Sequence, residues 1–314
     1  MNRVVVTGGA GFIGSGLVRA LLADGAKEVV VVDNLLSGKE ENLTEVRDRV
    51  EFHNADIRDY DSIRKIFEDA EVVFHLAAIP SVPRSIKEPY PSHDVNINGT
   101  FSVYSAAAEA KVRRVVYAAS SSAYGDTLVM PKVESMLPLP KSPYALQKLV
   151  GEYYGSVFYS CFGLESVALR FFNVFGPRQD PGSAYSGVLS LFMKCLIERQ
   201  APLIHGDGEQ SRDFTYVEDV AGLVIKAAKA QGVAGNTYNA GNGNRYTLNF
   251  IWSQLQMIEG VDIPATFGPP REGDVRDSQA DTSMAIKYLG HSPQFPIDKA
   301  LRLTLDWYKQ SLKA

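Results

Sequence analysis

A tyrosine and a lysine one helical turn apart, Tyr144 and Lys148 in SPYALQK, are the residues whose types and spacing best suit proton transfer. Residues four apart lie on the same face of a helix. A nearby ammonium favours the charged form of a phenol, whose pKa is ordinarily near 10, so Lys148 would lower the pKa of Tyr144 and help it to act as a base. A surface tyrosine–lysine pair has the same spacing, so this interpretation needs support from the rest of the chain.

Three glycines follow the first apolar run with the spacing of a dinucleotide-binding turn. RVVVT (3–7) leads into TGGAGFIG, which contains Gly8, Gly11 and Gly14. Glycines allow a tight turn and let the backbone approach a pyrophosphate at a helix N-terminus. The second apolar run ends at Asp33, about 20 residues further on, where a carboxylate can bind a ribose diol and repel a 2′-phosphate. The pattern predicts an NAD site, and a strand–helix turn without a ligand is the alternative. A positively charged nicotinamide ring near Tyr144 would act together with Lys148 and make the phenol a base near neutral pH.

Apolar runs alternate with amphipathic stretches through the first half of the chain, and this predicts the elements that position those residues. Near-continuous apolar runs suit parallel strands that are covered on both faces. After Arg170 the alternation gives way to a stretch rich in glycine, proline and aromatic residues. We therefore expect an α/β protein with a doubly wound parallel sheet (Rossmann) and a smaller mixed α/β substrate-binding lobe. The predicted strands are 3–7, 28–33, 50–54, 71–77, 113–120 and 164–170, and the predicted helices are 12–24, 59–69, 92–110 and 143–162.

Further contacts to a dinucleotide are expected where the third and fourth predicted strands end, because ligands lie at the carboxyl ends of strands in such sheets. Asp56 and Ile57 follow the third strand and could meet an adenine ring. Leu76, Ala77 and Ala78 end the fourth strand, and these small residues permit close approach of a cofactor.

Composition excludes several other classes of protein. The net charge is −4 and no long Lys/Arg run is present, so we expect no nucleic-acid partner. No apolar stretch is long enough for a membrane span, and the chain begins without the organisation of a signal peptide. The two cysteines form no CxxC motif and the five histidines lack metal-ligand spacing, so no metal site is expected. A cytoplasmic protein is predicted.

Ordered motifs along nearly the whole chain resemble the extended short-chain dehydrogenase/reductase family, and specifically its nucleotide-sugar epimerases. The matching stretches are TGGAGFIG, NADIRD, HLAA, VNINGT, ASSSAYGD, SPYALQK, RFFNVFGPRQDP, GDGEQSRDFTYVEDV and REGDVRDS. The resemblance implies tightly bound NAD and a catalytic set of Tyr144 as acid/base, Lys148 as its tuning cation and Ser120 as the third member. Lys148 would also hold the nicotinamide ribose. The other cofactor-binding positions it implies or supports are Gly8, Gly11, Phe12, Ile13, Gly14, Asp33, Asn34, Ser37, Gly38, Asp56, Ile57, Leu76, Ala77, Ala78 and Asn96.

The same resemblance implies a UDP-sugar substrate. Asn173, Arg212 and Arg271 match contacts to the diphosphate, whose oxygens suit the fork of an arginine. Asp274 matches a contact to the uridine ribose, and the stretch that ends at His205 matches an edge that reads uracil. The predicted substrate-binding residues are Ser81, Arg84, Ser121, Ser122, Asn173, His205, Arg212, Arg271, Asp274 and Ser278.

The two residues that follow Ser120 differ between family members that catalyse different reactions. Members that dehydrate a sugar carry an Asp-Glu pair after this serine, and members that decarboxylate a sugar acid usually carry a glutamate. Ser121 and Ser122 stand there in this chain and supply no carboxylate. The remaining groups can transfer one proton and one hydride. This favours a 4-epimerase that acts through a 4-keto intermediate.

Ser278 bears on the choice of sugar. Members limited to UDP-glucose and UDP-galactose carry a bulky tyrosine at this position, whereas a serine leaves room for an acetamido group. We predict interconversion of UDP-N-acetylglucosamine and UDP-N-acetylgalactosamine, with activity on UDP-glucose and UDP-galactose also allowed. The alternatives are a UDP-glucuronate 4-epimerase, a nucleotide-sugar dehydratase, and a non-enzymatic NAD-binding sensor or scaffold.

The resemblance also suggests domain boundaries and an assembly. Residues 1–172 are predicted to form the NAD-binding domain, with return segments around 214–250. Residues 173–213 and 251–314 are predicted to form the nucleotide-sugar-binding lobe. Apolar and aromatic faces on the predicted helices 92–110 and 143–162 suit a homodimer, although the same faces could simply cover the sheet.

Overall fold

The computed structural model describes residues 1–180, 187–270 and 275–311. Its strands are β1 (Arg3–Thr7), β2 (Glu28–Val32), β3 (Glu51–His53), β4 (Val72–His75), β5 (Arg114–Ser120), β6 (Glu165–Phe171), β7 (Val174–Phe175), β8 (Leu203–His205), β9 (Ser211–Arg212), β10 (Thr215–Tyr216), β11 (Asn236–Ala240), β12 (Tyr246–Thr247) and β13 (Thr266–Gly268). Its helices are α1 (Phe12–Ala23), α2 (Tyr60–Ile66), α3 (Val82–Lys87), α4 (Pro89–His93), α5 (Thr100–Glu109), α6 (Pro143–Phe162), α7 (Val188–Ile197), α8 (Val217–Lys229), α9 (Leu248–Glu259), α10 (Ser283–Leu289) and α11 (Ile297–Ser311).

A central sheet of parallel strands has the order β11–β6–β5–β4–β1–β2–β3. Both of its faces are covered. The apolar core on one face includes residues of α1 and α8, and the core on the other face includes residues of α2, α5 and α6. The strand order reverses between β1 and β4, which opens a crevice at the carboxyl ends of these strands. This arrangement confirms the predicted doubly wound α/β fold.

The stretch predicted as one helix over 92–110 is a composite. It consists of α4, a π-helical segment at Asp94–Gly99, and α5. The side chain of Asn96, inside the π-helical segment, binds the backbone of Ile79 after β4. Wider turns of this kind often occur at functional sites. Helix α3 was not predicted, since its six residues are too few to show a helical period.

A second apolar core lies beyond the sheet, among α7, α9 and α11. Phe192, Trp252 and Leu301 are buried in it. Short strand pairs border this region, with β8 parallel to β13 and β9 antiparallel to β12.

The segment predicted to return to the first domain, around 214–250, contains α8 and β11. Helix α8 packs against α1, and β11 pairs with β6 at the edge of the central sheet. The domain boundaries themselves stay a prediction.

Candidate active site

A cavity of about 1520 Å³ lies at the carboxyl ends of the central strands and continues toward the second core. Most residues predicted from the sequence line it together. Those predicted for the cofactor are Gly8, Gly11, Phe12, Ile13, Gly14, Asp33, Asn34, Ser37, Gly38, Ile57, Leu76, Ala77, Ala78, Tyr144 and Lys148. Those predicted for substrate or catalysis are Arg84, Ser120, Ser121, Ser122, Asn173, Arg212 and Ser278.

The glycine-rich turn has the close approach that a dinucleotide requires. Gly8 has a φ of +73°, and a Cβ there would lie 2.7 Å from the backbone nitrogen of Ala77. A Cβ on Gly14 would lie 2.0 Å from the carbonyl oxygen of Gly8. Side chains are therefore excluded at both positions, and the N-terminus of α1 faces the cavity, where backbone amides suit a pyrophosphate. The residues present fit the dinucleotide.

Asp33 follows β2 at the edge of the same cavity. Its carboxylate accepts hydrogen bonds from the backbone amides of Ala10 and Leu35, each at 2.9 Å. A Cβ on Gly38 would lie 2.8 Å from both carboxylate oxygens, so the loop after β2 wraps closely around this side chain. Burial raises the pKa of Asp33, and the two backbone hydrogen bonds oppose that rise. A fixed carboxylate here suits a ribose diol and disfavours a 2′-phosphate.

Helix α6 carries Tyr144 and Lys148 into the cavity on its first turns. Ser142 caps the helix, with its hydroxyl accepting the backbone N–H of Ala145 at 3.2 Å, and Pro143 occupies the first helical position. The backbone N–H of Tyr144 donates to the hydroxyl of Ser85 in α3 at 3.1 Å. The start of α6 is therefore fixed from both sides.

Lys148 is buried next to β5. Its Nζ donates to the carbonyl oxygen of Ala118 at 2.8 Å and lies 5.1 Å from the centre of the Tyr117 ring. Burial lowers the pKa of Lys148 to about 8. The neighbouring His75 binds the hydroxyls of two threonines through its ring nitrogens, and burial followed by the charge of Lys148 lowers its pKa to about 3. His75 is therefore neutral near pH 7 and adds no second positive charge.

The phenol of Tyr144 is buried at the cavity. Burial raises its pKa above the ordinary value, and a hydrogen bond with Ser120 opposes the rise. The Lys148 ammonium on the next turn of the helix donates to the Ala118 carbonyl oxygen. The lowering of the Tyr144 pKa by Lys148 and a bound nicotinamide ring together stays a prediction.

The three serines that follow one another at the end of β5 are unequal in their contacts. The hydroxyl of Ser122 donates to Ser120 Oγ at 2.8 Å, and the Ser122 backbone N–H donates to the same oxygen at 3.2 Å. Ser120 also reaches Tyr144, so it links the serine loop to the phenol. Ser121 lines the cavity beside them.

Four predicted residues lie outside the cavity wall. Asp56 binds Arg58 and Asn34, Ser81 caps α3, and the ring of His205, at the end of β8, contacts the carbonyl oxygen of Pro269. Asn96 lies behind the wall, where its amide binds the backbone of Ile79 and the side chain of Gln147. These residues shape the loops around the cavity and do not line it. Arg271 and Asp274 lie outside the described residues.

The substrate side of the cavity is built from β9 and the segment that follows residue 274. Arg212 donates to the carbonyl oxygens of Ser211 and Arg276, both at 2.9 Å. The Ser278 backbone N–H donates to the Ser211 carbonyl oxygen at 3.0 Å. Asn173 lies at the same wall, and its side-chain amide donates to a backbone carbonyl oxygen just after β9 at 3.3 Å. One wall of the cavity is thus formed in part by the guanidinium-bearing Arg212 and the small hydroxyl side chain of Ser278.

Several cavity residues were not assigned from the sequence. Gln179 and Asp180 line the wall within the motif NVFGPRQDP, and Lys39 lines it just after Gly38. Lys39 Nζ binds the Asp180 carboxylate at 2.9 Å. Two features of the sequence could have identified these residues. Lys39 is next to Gly38, and Gln179 and Asp180 lie in a motif that matches the family.

Neither a membrane-spanning helix nor a cluster of metal ligands occurs among residues 1–180, 187–270 and 275–311. No helix among them is long and apolar enough to cross a membrane. They also contain no group of three or more His, Cys, Asp or Glu side chains that could hold a metal ion.

Comparison with known proteins gives the family. The model of the NAD dependent epimerase/dehydratase family matches residues 4–241. A UDP-glucose 4-epimerase of Mycolicibacterium smegmatis is 38% identical over 311 residues, which cover 98% of each chain.

Two solved structures are similar along their whole length. The UDP-N-acetylglucosamine 4-epimerase of Methanobrevibacter ruminantium M1, in complex with UDP-N-acetylmuramic acid, is 38% identical with a TM-score of 0.94, covering 98% of each chain. The UDP-glucose 4-epimerase of Thermus thermophilus, in complex with NAD, is 34% identical with a TM-score of 0.89, covering 98% of this chain and 99% of that one. On this evidence the chain belongs to the NAD dependent epimerase/dehydratase family.

Proposed function

We propose that the protein interconverts UDP-N-acetylglucosamine and UDP-N-acetylgalactosamine, and that it also accepts UDP-glucose and UDP-galactose. The coarser activity follows from the family and its relatives: the chain is an NAD-dependent UDP-sugar 4-epimerase. The proposal concerns the sugar and the roles of individual residues.

NAD supplies the hydride acceptor and donor of this reaction when it is bound. Tyr144 takes the proton of the sugar 4-hydroxyl and gives it back to the same oxygen when carbon 4 is reduced with the opposite configuration. Ser120 holds the phenol through their hydrogen bond. Lys148 contributes a positive charge beneath the site, fixed by the Ala118 carbonyl oxygen. Arg212 binds the diphosphate, and Arg271 and Asp274 are proposed substrate contacts outside the described residues.

Ser278 is the observation that carries the choice of sugar. It lines the cavity beside Arg212, and its backbone is fixed to the Ser211 carbonyl oxygen. A side chain this small leaves room for an acetamido group at the wall. Ser121 and Ser122 supply no carboxylate, which disfavours a dehydratase.

The direct test is NMR of reactions that contain UDP-N-acetylglucosamine, UDP-glucose or UDP-glucuronate, without added cofactor. Inversion at carbon 4 of the acetylated sugar supports the proposal. Inversion of glucuronate alone would establish the alternative epimerase, and release of NAD without turnover of any sugar would favour a sensor or scaffold.

A variant tests the pocket itself. Ser278→Tyr fills the space beside Arg212, so kcat/KM for the acetylated sugars should fall at least about tenfold more than for UDP-glucose, within the range that pocket contacts discriminate. Ser253→Tyr, on an exposed position of α9, is the matched control and should change neither. Equal losses on both classes of sugar in Ser278→Tyr would refute the role of Ser278.

A further inference from the structure

Asp213 has a carboxylate that is fully buried next to the substrate wall without lining the cavity. Its Oδ1 accepts the backbone N–H of Asn242 at 2.8 Å. Its Oδ2 accepts the backbone N–H groups of Gly243 at 2.9 Å and of Ala280 at 3.0 Å. One side chain therefore joins the end of β9, the loop after β11 and the segment that contains Ser278.

The residues before Asp213 are paired with the same segment. Arg212 donates to the carbonyl oxygen of Arg276, and the carbonyl oxygen of the residue before it accepts the N–H of Ser278. Asp213 continues this pairing to Ala280. A Cβ on the glycine at position 241 would lie 2.9 Å from Asp213 Oδ2 and 2.5 Å from the Ala280 Cβ, so the three segments are in close contact.

We propose that Asp213 is a positioning residue that fixes the distance between Arg212 and Ser278, and thereby the fit of the UDP-sugar. The inference rests on the proposed roles of Arg212 and Ser278. A buried carboxylate that accepts three backbone N–H groups is a strong and specific connection. An asparagine has one oxygen and an NH₂ group that faces N–H donors, so Asp213→Asn must shift at least one of the three segments.

Asp219 provides a matched control. It is a buried aspartate on α8 that accepts the backbone N–H groups of Gln294 at 2.6 Å and Phe295 at 3.3 Å. Neither it nor these partners line the cavity. Asp213→Asn and Asp219→Asn both place a side-chain amide opposite backbone N–H donors. Only Asp213→Asn is expected to disturb the substrate wall.

The experiment measures KM, kcat and thermal stability of the purified holoenzyme with UDP-glucose and UDP-N-acetylglucosamine. Asp213→Asn should raise KM about tenfold with kcat within about twofold, the pattern of lost ground-state and transition-state binding alike. Asp219→Asn should lower the melting temperature and leave KM unchanged. An unchanged KM in Asp213→Asn, or equal changes of KM in both variants, would overturn the inference.

The pH dependence of KM in the wild type provides a second readout, which can overturn the inference even if Asp213→Asn does not fold. Burial raises the pKa of Asp213 to about 6, against the lowering by its hydrogen bonds to three backbone amides and to the hydroxyl of Thr215. Titratable and charged groups near it in the described chain include the adjacent Arg212, Tyr246 and His291. Burial and the charge of Asp213 raise the pKa of Tyr246, and the His291 Nε2 contacts the Gly241 carbonyl oxygen. Burial lowers the pKa of His291, and its hydrogen bond to the Gly241 backbone opposes that lowering.

Protonation of Asp213 removes an acceptor from the wall. The KM of the wild type for UDP-glucose should therefore rise as the pH falls from about 7 to about 5, the range that brackets this pKa, and the rise should be absent in Asp213→Asn. A KM that is constant over this range overturns the inference. If the wild type converts only UDP-glucose, the proposed sugar preference is wrong. The KM values of Asp213→Asn and Asp219→Asn for UDP-glucose still test the role of Asp213.

Discussion

Tyr144 is the residue on which the proposed chemistry depends, and burial holds its pKa above the ordinary value. Loss of its hydroxyl in Tyr144→Phe should lower kcat by about 10²–10⁴-fold, the usual contribution of a general acid–base group. NAD content should stay unchanged, because the glycine-rich turn and Asp33 are untouched. Turnover measured by NMR, with NAD measured after denaturation, checks this.

The control for that substitution is Tyr159→Phe, which removes the hydroxyl of an exposed tyrosine on the same helix. It should leave kcat unchanged. A Tyr144→Phe enzyme that kept more than about a tenth of its kcat would show that another group moves the proton.

Lys148 carries a cost in stability. Burial lowers its pKa from 10.5 to about 8, so below pH 8 the folded protein holds a charge that the unfolded chain solvates better. Lys148→Met should raise the free energy of unfolding of the cofactor-free protein at pH 7, by up to about 3 kcal/mol, while abolishing turnover.

The sign of this effect sets its pH range. Between about pH 8 and 10.5 the unfolded state binds the proton and the folded state does not, so wild-type stability gains from rising pH there and the advantage of Lys148→Met disappears. Urea unfolding at about pH 7 and about pH 10, below and within this range, measures both points. A less stable Lys148→Met at the lower pH would mean that the bond to Ala118 outweighs the cost of burial.

At the scale of the elements, the position of α6 against the sheet depends on its glycines. A Cβ on Gly151 would lie 2.3 Å from the Tyr117 ring, which is fully buried on β5. Gly151→Ala should push the helix outward, lower stability by about 1–3 kcal/mol and reduce kcat, because Tyr144 and Lys148 move with it. Thermal unfolding and kinetics measure the two effects.

Gly222 on α8 is the matched control, since nothing lies within 4 Å of a Cβ there. Gly222→Ala should stabilise the protein by about 0.5–1 kcal/mol, as alanine does in an unobstructed helix. If Gly151→Ala behaved in the same way, the close packing of α6 on β5 would not matter for activity.

The elements also separate what the sequence could predict from what it could not. Strands such as β1 and β4 were predictable because parallel strands buried on both faces are almost uniformly apolar. The turn at Gly8 and the position of Asp33 followed from spacing alone. The π-helical segment was not predictable, because the contact of Asn96 with Ile79 is tertiary. Gln179 reaches the cavity through an irregular loop, for which no periodic pattern exists.

At the scale of the whole molecule, α5 and α6 share an apolar face that the described chain leaves uncovered. Phe101 is 47% exposed, Tyr153 56%, Val157 51% and Phe162 65%, and the ring of Phe101 packs against those of Tyr154 and Phe158. Contiguous exposed apolar surface of this kind marks an interaction site. We propose a second copy of the chain as the partner, with α5 and α6 packing against their equivalents around a two-fold axis.

A charge in the middle of that face tests the dimer. Val157→Glu keeps good helix propensity but would bury two unpaired carboxylates across a symmetric interface, so the protein should change from dimer to monomer in sedimentation velocity. Leu128→Glu, at a side chain 94% exposed in the loop between β5 and α6, should leave the mass unchanged. A wild type that is monomeric at micromolar concentration would contradict the proposal. Because α6 also carries Tyr144 and Lys148, loss of the dimer should lower kcat as well, which links assembly to the chemistry at the start of the same helix.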